Sequence, residues 1–159
     1  MILITGSAGF IGKSLVDKLV PNNKIIGIDD LSSGYKSNII NHKNYKFYRG
    51  NCADEKILKK IKNIKIIIHL AGQSSGEKSF DDPKVDFEKN VLTTVSLLDF
   101  ANRVKCKHFI FASSMSVYGN NYKNKIKETY KTDPISFYGL SKLNAEKYIK
   151  KYSDKDINY

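Results

Sequence analysis

One stretch near the start of the chain decides the fold: Thr5-Gly6-Ser7-Ala8-Gly9-Phe10-Ile11-Gly12. It follows a short apolar run, Ile2 to Ile4, and opens a segment whose apolar residues repeat at helical spacing. A glycine-rich turn between a strand and a helix lets the backbone approach a pyrophosphate closely, and the N-terminus of the helix supplies N–H donors and a partial positive charge. The stretch therefore predicts a phosphate-binding loop at the start of a doubly wound α/β domain.

Strands and helices are expected to alternate along the rest of the chain. Apolar runs suited to buried strands lie at 2–4, 25–28, 45–48, 64–70 and 109–112, and segments of helical period lie at 10–19, 55–62, 84–103 and 135–152. In the longest of these helices, a buried stripe of Phe87, Val91, Val95 and Leu98 is expected. The alternation is typical of a parallel sheet with helices on both faces. Residues 1–159 are therefore predicted to form one Rossmann-type domain, whose last strand begins at Asp156 and is truncated.

A carboxylate at the end of the second strand supports this interpretation of the glycine loop. Asp29 stands where an acidic residue would accept hydrogen bonds from the ribose hydroxyls of adenosine, and it would repel a 2′-phosphate. NAD is therefore the expected cofactor rather than NADP. A glycine triplet alone would also suit a merely tight turn, but the strand, the helix and the carboxylate together favour a dinucleotide site.

A second group of candidate residues lies in the last third of the sequence. Tyr138 and Lys142 are four residues apart in a predicted helix, so their side chains point from one face. An ammonium close to a phenol favours the phenolate, which makes a tyrosine usable as a base near neutral pH. Ser113 and Ser114 follow the fifth strand, at the sheet edge where ligands bind in such folds. A Tyr-x-x-x-Lys pair also occurs on surfaces, but here the glycine loop and the serine pair favour an active site.

These motifs resemble those of the extended short-chain dehydrogenase/reductase family, in particular its NAD-dependent epimerases and dehydratases of nucleotide sugars. The Gly-x-x-Gly-x-x-Gly spacing, the stretch His69 to Gly72 and the segments 29–34 and 76–83 are similar to those of UDP-galactose 4-epimerases. The resemblance runs from Met1 to Tyr159 and covers only about half of a family member. It implies that the substrate domain, which selects the sugar, is absent from this chain.

The resemblance also implies a role for individual residues. Ser114 would stabilise the substrate oxygen, Tyr138 would act as acid and base, and Lys142 would hold the nicotinamide ribose. Asn51 stands where the family usually has an Asp at the adenine contact, so weaker binding is expected there. The residues implied in cofactor binding are Gly6, Gly9, Phe10, Ile11, Gly12, Asp29, Ser32, Gly34, Asn51, Cys52, Leu70, Ala71, Gly72, Asn90, Ser113, Tyr138 and Lys142.

Two positions after the catalytic serine indicate which reaction of the family to expect. Family members that eliminate water carry an Asp-Glu pair there, whereas this chain has Met115 and Ser116. The resemblance therefore favours a nucleotide-sugar epimerase, acting on a UDP-hexose by transient oxidation to a keto-sugar. Three alternatives stay open: a keto-sugar reductase of the same family, a truncated NAD-binding fragment without turnover, and a non-enzymatic nucleotide-sensing or scaffold protein.

Composition narrows the class of partner. The net charge of +11 could suggest nucleic acid, but the lysines are spread along the whole chain with no aromatic-interleaved basic platform. No apolar stretch reaches the length needed to span a bilayer, so neither a nucleic-acid nor a membrane partner is expected. Cys52 and Cys106 have no metal-site spacing, which favours free thiols in the cytoplasm and no metal. By resemblance, a homodimer could form through the helices that carry Asn90 and Tyr138.

Overall fold

The computed structural model describes residues 1–120, 125–153 and 158 of the chain. Its strands within these residues are β1 (Ile2–Thr5), β2 (Ile25–Asp29), β3 (Tyr45–Arg49), β4 (Ile66–His69) and β5 (His108–Phe111). Its α-helices there are α1 (Phe10–Leu19), α2 (Glu55–Leu58), α3 (Lys78–Asp81), α4 (Pro83–Phe87), α5 (Thr93–Arg103) and α6 (Phe137–Ser153). A π-helical turn, Glu88–Leu92, joins α4 to α5, and 3-10 turns lie at Lys36–Asn38 and Met115–Tyr118.

The strands form one parallel sheet in the order β3-β2-β1-β4-β5. The central strand β1 pairs with β2 on one side and with β4 on the other, so Leu3 lies between Ile26 and Ile67. The direction in which strands are added therefore reverses at β1. In sheets of this kind ligands bind beyond the carboxyl ends of the strands at that reversal. This is where the loop after β1 and the loop after β4 meet.

Apolar side chains alternate between the two faces of the sheet and make a core on each. On one face, Ile4, Ile25 and Ile68 pack with Val16 of α1. The other face is covered by residues of α2, α5 and α6, and its cluster includes Leu3, Ile26, Ile67, Leu58, Leu98 and Ile149. The strands β1 and β2 are buried along their whole length. This is expected for central strands of a parallel sheet that is covered on both faces, and it explains why their residues are mostly apolar. The predicted doubly wound class is thus the observed one.

The helix predicted at 84–103 is divided, and one residue of its expected stripe is misplaced. Val91 and Leu98 are buried as expected, but Phe87 is 43% exposed. The inward positions on this segment belong to two polar residues, Asp86 and Asn90. A periodicity count that treats only apolar residues as buried puts Phe87 inward, which is wrong here.

Other boundaries move by a few residues. The helix predicted at 55–62 ends at Leu58, and the strand predicted at 64–70 covers 66–69. The last helix begins at Phe137, just after Ser136, whose hydroxyl accepts a hydrogen bond from the Gly139 N–H at 3.0 Å. The sixth strand predicted from Asp156 falls largely outside the described residues. Asn158 forms an isolated parallel bridge with His108 of β5. In the described part of the chain, no helix is long and apolar enough to cross a membrane.

Candidate active site

The loop between β1 and α1 has the geometry of an anion-binding turn. Gly6 has a φ of +67°, a left-handed conformation that glycine adopts without steric cost. The Gly9 N–H donates to the Gly6 carbonyl at 3.1 Å, and α1 begins at the next residue. A Cβ on Gly12 would lie 2.1 Å from the Gly6 carbonyl oxygen, so the first turn of α1 packs directly on the loop. The N-terminal end of α1 is thereby held at the edge of the sheet where the strands have their carboxyl ends.

Asp29, the last residue of β2, fixes this loop from the side. Its Oδ2 accepts from the Ala8 N–H at 2.9 Å, and its Oδ1 accepts from the Leu31 N–H at 2.8 Å. A Cβ on Gly34 would lie 3.0 Å from Asp29 Oδ1, so the segment after β2 also packs against this carboxylate. A buried carboxylate with two backbone donors is held rigidly, and it presents a fixed negative charge beside the cleft.

A cleft of about 370 Å³ opens at the carboxyl edge of the sheet. The predicted site residues that line it are Gly6, Gly9, Phe10, Ile11, Gly12, Asp29, Ser32, Asn51, Cys52, Leu70, Ala71 and Gly72. The cleft is also lined by residues that the sequence does not predict, namely Ile28, Asp30, Ser33, Gly50, Ser74, Lys89, Thr93 and Ala112. Thr93 follows the predicted Asn90 by three residues, so helical spacing could have indicated it, whereas no such spacing indicates Lys89.

The part of the cleft around the glycine loop and Asp29 is called here the loop end. Asn51 is exposed there, and its amide oxygen already accepts from the Ala53 N–H at 2.9 Å. Burial works against ionisation of Asp30, but hydrogen bonds from Ser32 and the charge of Lys89 outweigh it and hold the pKa of this carboxyl below its usual value. The loop end therefore carries two carboxylates, which disfavours an additional phosphate on the ribose.

Cys52 also lines the loop end, but as a neutral group. Its thiol is buried, and burial raises its pKa to about 12. It is not bonded to Cys106, which is also a free thiol. Among the residues that the structure describes, no three His, Cys, Asp or Glu side chains come together in a metal-binding group.

The buried side chains around Lys142, which adjoin the cleft at Ala112 but do not themselves line it, are called here the network end. Tyr138 and Lys142 lie on one face of α6, and both are buried. The Lys142 ammonium donates to the Ala112 carbonyl at 3.0 Å and lies 5.8 Å from the centre of the Tyr138 ring. Burial lowers the pKa of Lys142 to about 8, while the negative charge of Asp86 opposes that shift. The lysine can therefore gain or lose its proton near neutral pH.

Ser114 follows β5 and caps the N-terminal end of the 3-10 turn Met115–Tyr118. Its hydroxyl oxygen accepts from the Ser116 N–H at 3.2 Å and is 3.1 Å from the Ser116 hydroxyl. The beginning of α6 packs on this turn, because a Cβ on Gly139 would lie 2.5 Å from the Ser116 carbonyl oxygen. Ser113 instead donates its hydroxyl hydrogen to Glu146 of α6. Ser113 does not line the cleft, and neither do Gly34, Asn90, Tyr138 and Lys142, although the sequence predicts a cofactor contact for all five.

A chain of buried hydrogen bonds runs beneath the cleft from β1 to α5. The Thr5 hydroxyl accepts from the Ala71 N–H and lies 2.7 Å from His69 Nδ1, while His69 Nε2 lies 3.1 Å from the Thr94 hydroxyl. The Thr94 hydroxyl donates to the Asn90 carbonyl at 2.6 Å. Burial, with a smaller effect of the Lys142 charge, lowers the pKa of His69 to about 3. The imidazole is therefore neutral, and it links β4 to the helix that carries Asn90.

Asn90 lies in the π-helical turn, and its side chain packs behind Gly72, which lines the cleft. Its amide nitrogen donates to Asp86 Oδ1 at 3.0 Å, but its own buried amide oxygen has no hydrogen-bond partner. A Cβ on Gly72 would lie 2.4 Å from that oxygen and 3.6 Å from the Lys142 ammonium. A π-helical turn often marks a functional position, and an unpartnered buried acceptor calls for a donor from a ligand.

Comparison with known proteins assigns this arrangement to a family. A model of the NAD dependent epimerase/dehydratase family matches residues 2–159. The chain belongs to this family. The putative UDP-glucose 4-epimerase of Methanocaldococcus jannaschii is 38% identical over 157 residues, which are 96% of this chain and 51% of that relative. The chain thus spans about half the length of the curated relatives it matches.

Solved structures of the family have the same fold. A UDP-N-acetylglucosamine 4-epimerase from Methanobrevibacter ruminantium, in complex with UDP-N-acetylmuramic acid, superposes with a TM-score of 0.94 at 32% identity, covering 99% of this chain and 52% of that one. A Thermus thermophilus UDP-glucose 4-epimerase in complex with NAD gives 0.90 at 29% identity, covering 98% of this chain and 52% of that one. The predicted family, Rossmann-type fold and NAD cofactor are confirmed, whereas the roles of individual residues stay predictions.

Proposed function

We propose that this chain is the cofactor-binding and acid–base part of a nucleotide-sugar epimerase that works by transient oxidation to a keto-sugar. The observation that carries the proposal is the arrangement at the network end. Tyr138 and the buried Lys142 share one face of α6, and Lys142 bonds to the carbonyl of Ala112, which lines the same cleft as the glycine loop and is two residues before Ser114. A base, a cation and a hydroxyl at one sheet edge suit proton exchange with a sugar hydroxyl.

The residues around the cleft fit NAD. Gly6, Gly9 and Gly12 keep side chains away from the amide end of α1, where the pyrophosphate would lie. Asp29 would accept from the adenosine ribose, and the unpartnered amide oxygen of Asn90 would accept a hydrogen bond from the nicotinamide half. NAD, when bound, supplies a hydride acceptor that later returns the hydride to the sugar, so the overall reaction is redox-neutral.

The chain's own residues would manage the proton of the reaction. The Tyr138 phenolate would take the proton from a sugar hydroxyl as the carbon that bears it becomes a carbonyl. It would return the proton when the opposite face of that carbonyl is reduced. The Ser114 hydroxyl donates a hydrogen bond to the same substrate oxygen. The Lys142 ammonium holds the ribose and stabilises the phenolate by its charge.

Two positions favour epimerisation over elimination of water. Elimination needs a further acid and base beside the substrate, but Met115 has no ionisable group and Ser116 has only a hydroxyl. Met115 is also 74% exposed, so it adds no buried acid–base pair. A keto-sugar reductase would use the same residues as an epimerase. The two are distinguished by whether NADH must be supplied for each turnover.

A UDP-hexose is the proposed substrate, because several of the similar proteins are named as UDP-sugar 4-epimerases, while others, named as dTDP-D-glucose 4,6-dehydratases, catalyse the elimination that Met115 and Ser116 disfavour. We propose further that residues 1–159 are the NAD-binding domain, and that contacts to the sugar come mainly from another domain of the whole protein. Ile110 in β5 is 52% exposed, which fits further chain packing on this part of the sheet. The buried free thiols Cys52 and Cys106 suit the reducing cytoplasm, which is the proposed location.

The helices of the network end also present apolar side chains to solvent. The large apolar residues that are exposed on the helical segment 83–103 and on α6 include Phe87, Leu92, Leu140 and Tyr148. Such side chains gathered on neighbouring helices are typical of an interaction surface. We propose a homodimer through these helices, which size-exclusion chromatography with light scattering would detect. A monomer at every concentration would contradict it.

The proposed function is tested by cofactor binding and by turnover. The chain should enhance NADH fluorescence on binding. The protein should interconvert UDP-glucose and UDP-galactose without added NADH, and Tyr138→Phe should lower kcat by about 100-fold or more with NADH affinity unchanged. Tyr130→Phe, a change of the same kind outside the proposed site, is the matched control. Equal turnover by Tyr138→Phe and the parent protein would reject the assignment of Tyr138.

A further inference from the structure

Asp86 is the most deeply buried carboxylate near the network end, with 0% of its surface exposed. Its Oδ1 accepts from the Asn90 amide nitrogen at 3.0 Å and from Gln73 Nε2 at 3.2 Å. Its Oδ2 is buried and has no hydrogen-bond partner. No cation pairs directly with it in the described part of the chain. A buried carboxylate without a paired cation destabilises the fold, so a functional reason for it is expected.

The carboxylate determines which way the Asn90 amide points. Because a carboxylate only accepts hydrogen bonds, the amide nitrogen of Asn90 must face Asp86 and the amide oxygen must face away from it. The oxygen is thereby directed toward Gly72, at the wall of the cleft. A neutral side chain at position 86 would allow both orientations of the amide, and one of them would put a donor where the cleft now has an acceptor.

The charge of Asp86 also acts on Lys142. Several elements pack around the Lys142 ammonium, and each contributes its own groups. The strand β4 contributes His69, which is neutral above pH about 3, and α6 contributes the Tyr138 ring. Glu146, one turn further along α6, is bonded to Ser113 instead. The strand β5 contributes only the Phe111 ring and, just after it, the Ala112 carbonyl. Asp86 of α4 is the carboxylate whose negative charge raises the pKa of Lys142 against the effect of burial.

We propose that Asp86 is a positioning residue for the cofactor site, which orients the Asn90 amide through a hydrogen bond and acts on the Lys142 side chain through its charge. The inference rests on the proposed function, since it assigns Asn90 and Lys142 to the cofactor. Asp86 itself touches neither cofactor nor substrate. It acts through a hydrogen bond on one of the two residues and through its charge on the other.

The decisive experiment follows the titration of Lys142 directly. Protein labelled with 13C at the lysine ε-carbon is titrated by NMR, and the Lys142 signal is identified by its loss in Lys142→Met. In the parent protein the midpoint should lie near pH 8, and in Asp86→Asn it should move to lower pH. Glu88→Gln removes the same charge from an exposed position on the adjacent turn and should leave the midpoint unchanged. An unchanged midpoint in Asp86→Asn would overturn the proposal.

The cofactor side is tested by NADH binding to the same variants. Asp86→Asn should weaken binding by about tenfold, the cost of losing one charge-assisted hydrogen-bond arrangement, and Glu88→Gln should bind as the parent does. If the parent protein binds no NADH, the proposed function fails, while the Lys142 titration still decides the role of Asp86. Should Asp86→Asn not fold, Asp86→Ser replaces it. If neither variant folds, the carboxylate is a requirement for stability, and a positioning role is rejected.

Discussion

The loop end is packed around a backbone turn of glycines, whereas the network end consists of buried polar side chains. Gly6, Gly9 and Gly12 contribute no side chain at all to the loop end, and Asp29 there bonds only to backbone N–H groups. At the network end, His69 and Asn90 join a chain of side-chain hydrogen bonds that reaches from β1 to α5. The two ends therefore tolerate change differently. The loop end is limited by space, and the network end by charge and by hydrogen-bond direction.

The largest effect is expected where space is tightest, in Gly12→Ala. The added Cβ would meet the Gly6 carbonyl oxygen at 2.1 Å, and because both partners are backbone, neither can move without breaking the loop. We expect destabilisation of about 3 kcal/mol or more and loss of measurable NADH binding. Chemical denaturation and NADH fluorescence would measure both effects. Gly76→Ala, where the nearest atom is 3.7 Å away, is the control and should behave as the parent does. Normal NADH binding by Gly12→Ala would show that the loop is not tightly packed.

The next effect belongs to the network end and depends on pH. The folded protein keeps His69 neutral down to pH about 3, whereas the unfolded chain takes up a proton near pH 6.5. Unfolding therefore binds a proton between these values, so the stability gained is complete above pH 6.5 and is lost as the pH falls toward 3. Within this window His69 should lower the unfolding free energy by about 1.4 kcal/mol per pH unit. Denaturation curves of the parent and of His69→Gln, measured from pH 7 to pH 4, should diverge in slope, and parallel slopes would contradict the buried neutral imidazole.

A smaller effect is expected for Asp29→Asn at the loop end. The variant keeps one amide oxygen for the Ala8 and Leu31 N–H groups and loses the charge. We expect destabilisation of about 1–2 kcal/mol, and an improved ratio of NADPH to NADH affinity, since the carboxylate no longer repels a 2′-phosphate. Asp30→Asn, at the neighbouring exposed position, separates the two carboxylates. If NADPH discrimination were lost only in Asp30→Asn, Asp30 rather than Asp29 would be the selecting residue.

The smallest effect is expected for Asn51→Asp, which introduces the residue usual in the resembled family. Position 51 is exposed, and either side chain can accept from the Ala53 N–H. A carboxylate forms a stronger hydrogen bond with the adenine amino group than an amide oxygen does, so NADH binding should tighten about threefold. Calorimetric titration at matched ionic strength would measure this change. Weaker binding by the variant would mean that the adenine does not reach this position.

The sequence predicts the loop end better than the network end, and the reason is physical. The residues that define the loop end lie in two short segments of the sequence, and their spacing predicts the geometry of one turn and one strand end. They are Gly6, Gly9, Gly12 and Asp29. His69, Asp86 and Lys142 come from three separate elements, and only the fold shows that they lie near one another. His69 lies in the stretch His69 to Gly72, which is similar to the family, but nothing in the neighbouring sequence predicts that its ring is buried and neutral.

Errors in the predicted elements have the same origin. The apolar stripe placed Phe87 inward because the periodicity argument assumes that buried positions are apolar. In the structure the inward positions at this point are Asp86 and Asn90, whose burial is offset by hydrogen bonds that a hydropathy pattern does not contain. Lys89 was missed for a related reason, because an exposed lysine in a lysine-rich chain carries no local sign of facing a cleft.

The π-helical turn at Glu88–Leu92 acts as a change of phase within one long helical segment. An α-helix repeats its faces every 3.6 residues, so the wider turn rotates everything after it relative to everything before it. Asp86, before the turn, and Asn90, within it, can thus bond to each other behind the wall of the cleft, while the part after the turn presents Leu97 and Leu98 to the core. Deleting a single residue in this turn would bring the two halves back into one register. An uninterrupted helix could serve the core or the cleft at this point, but not both.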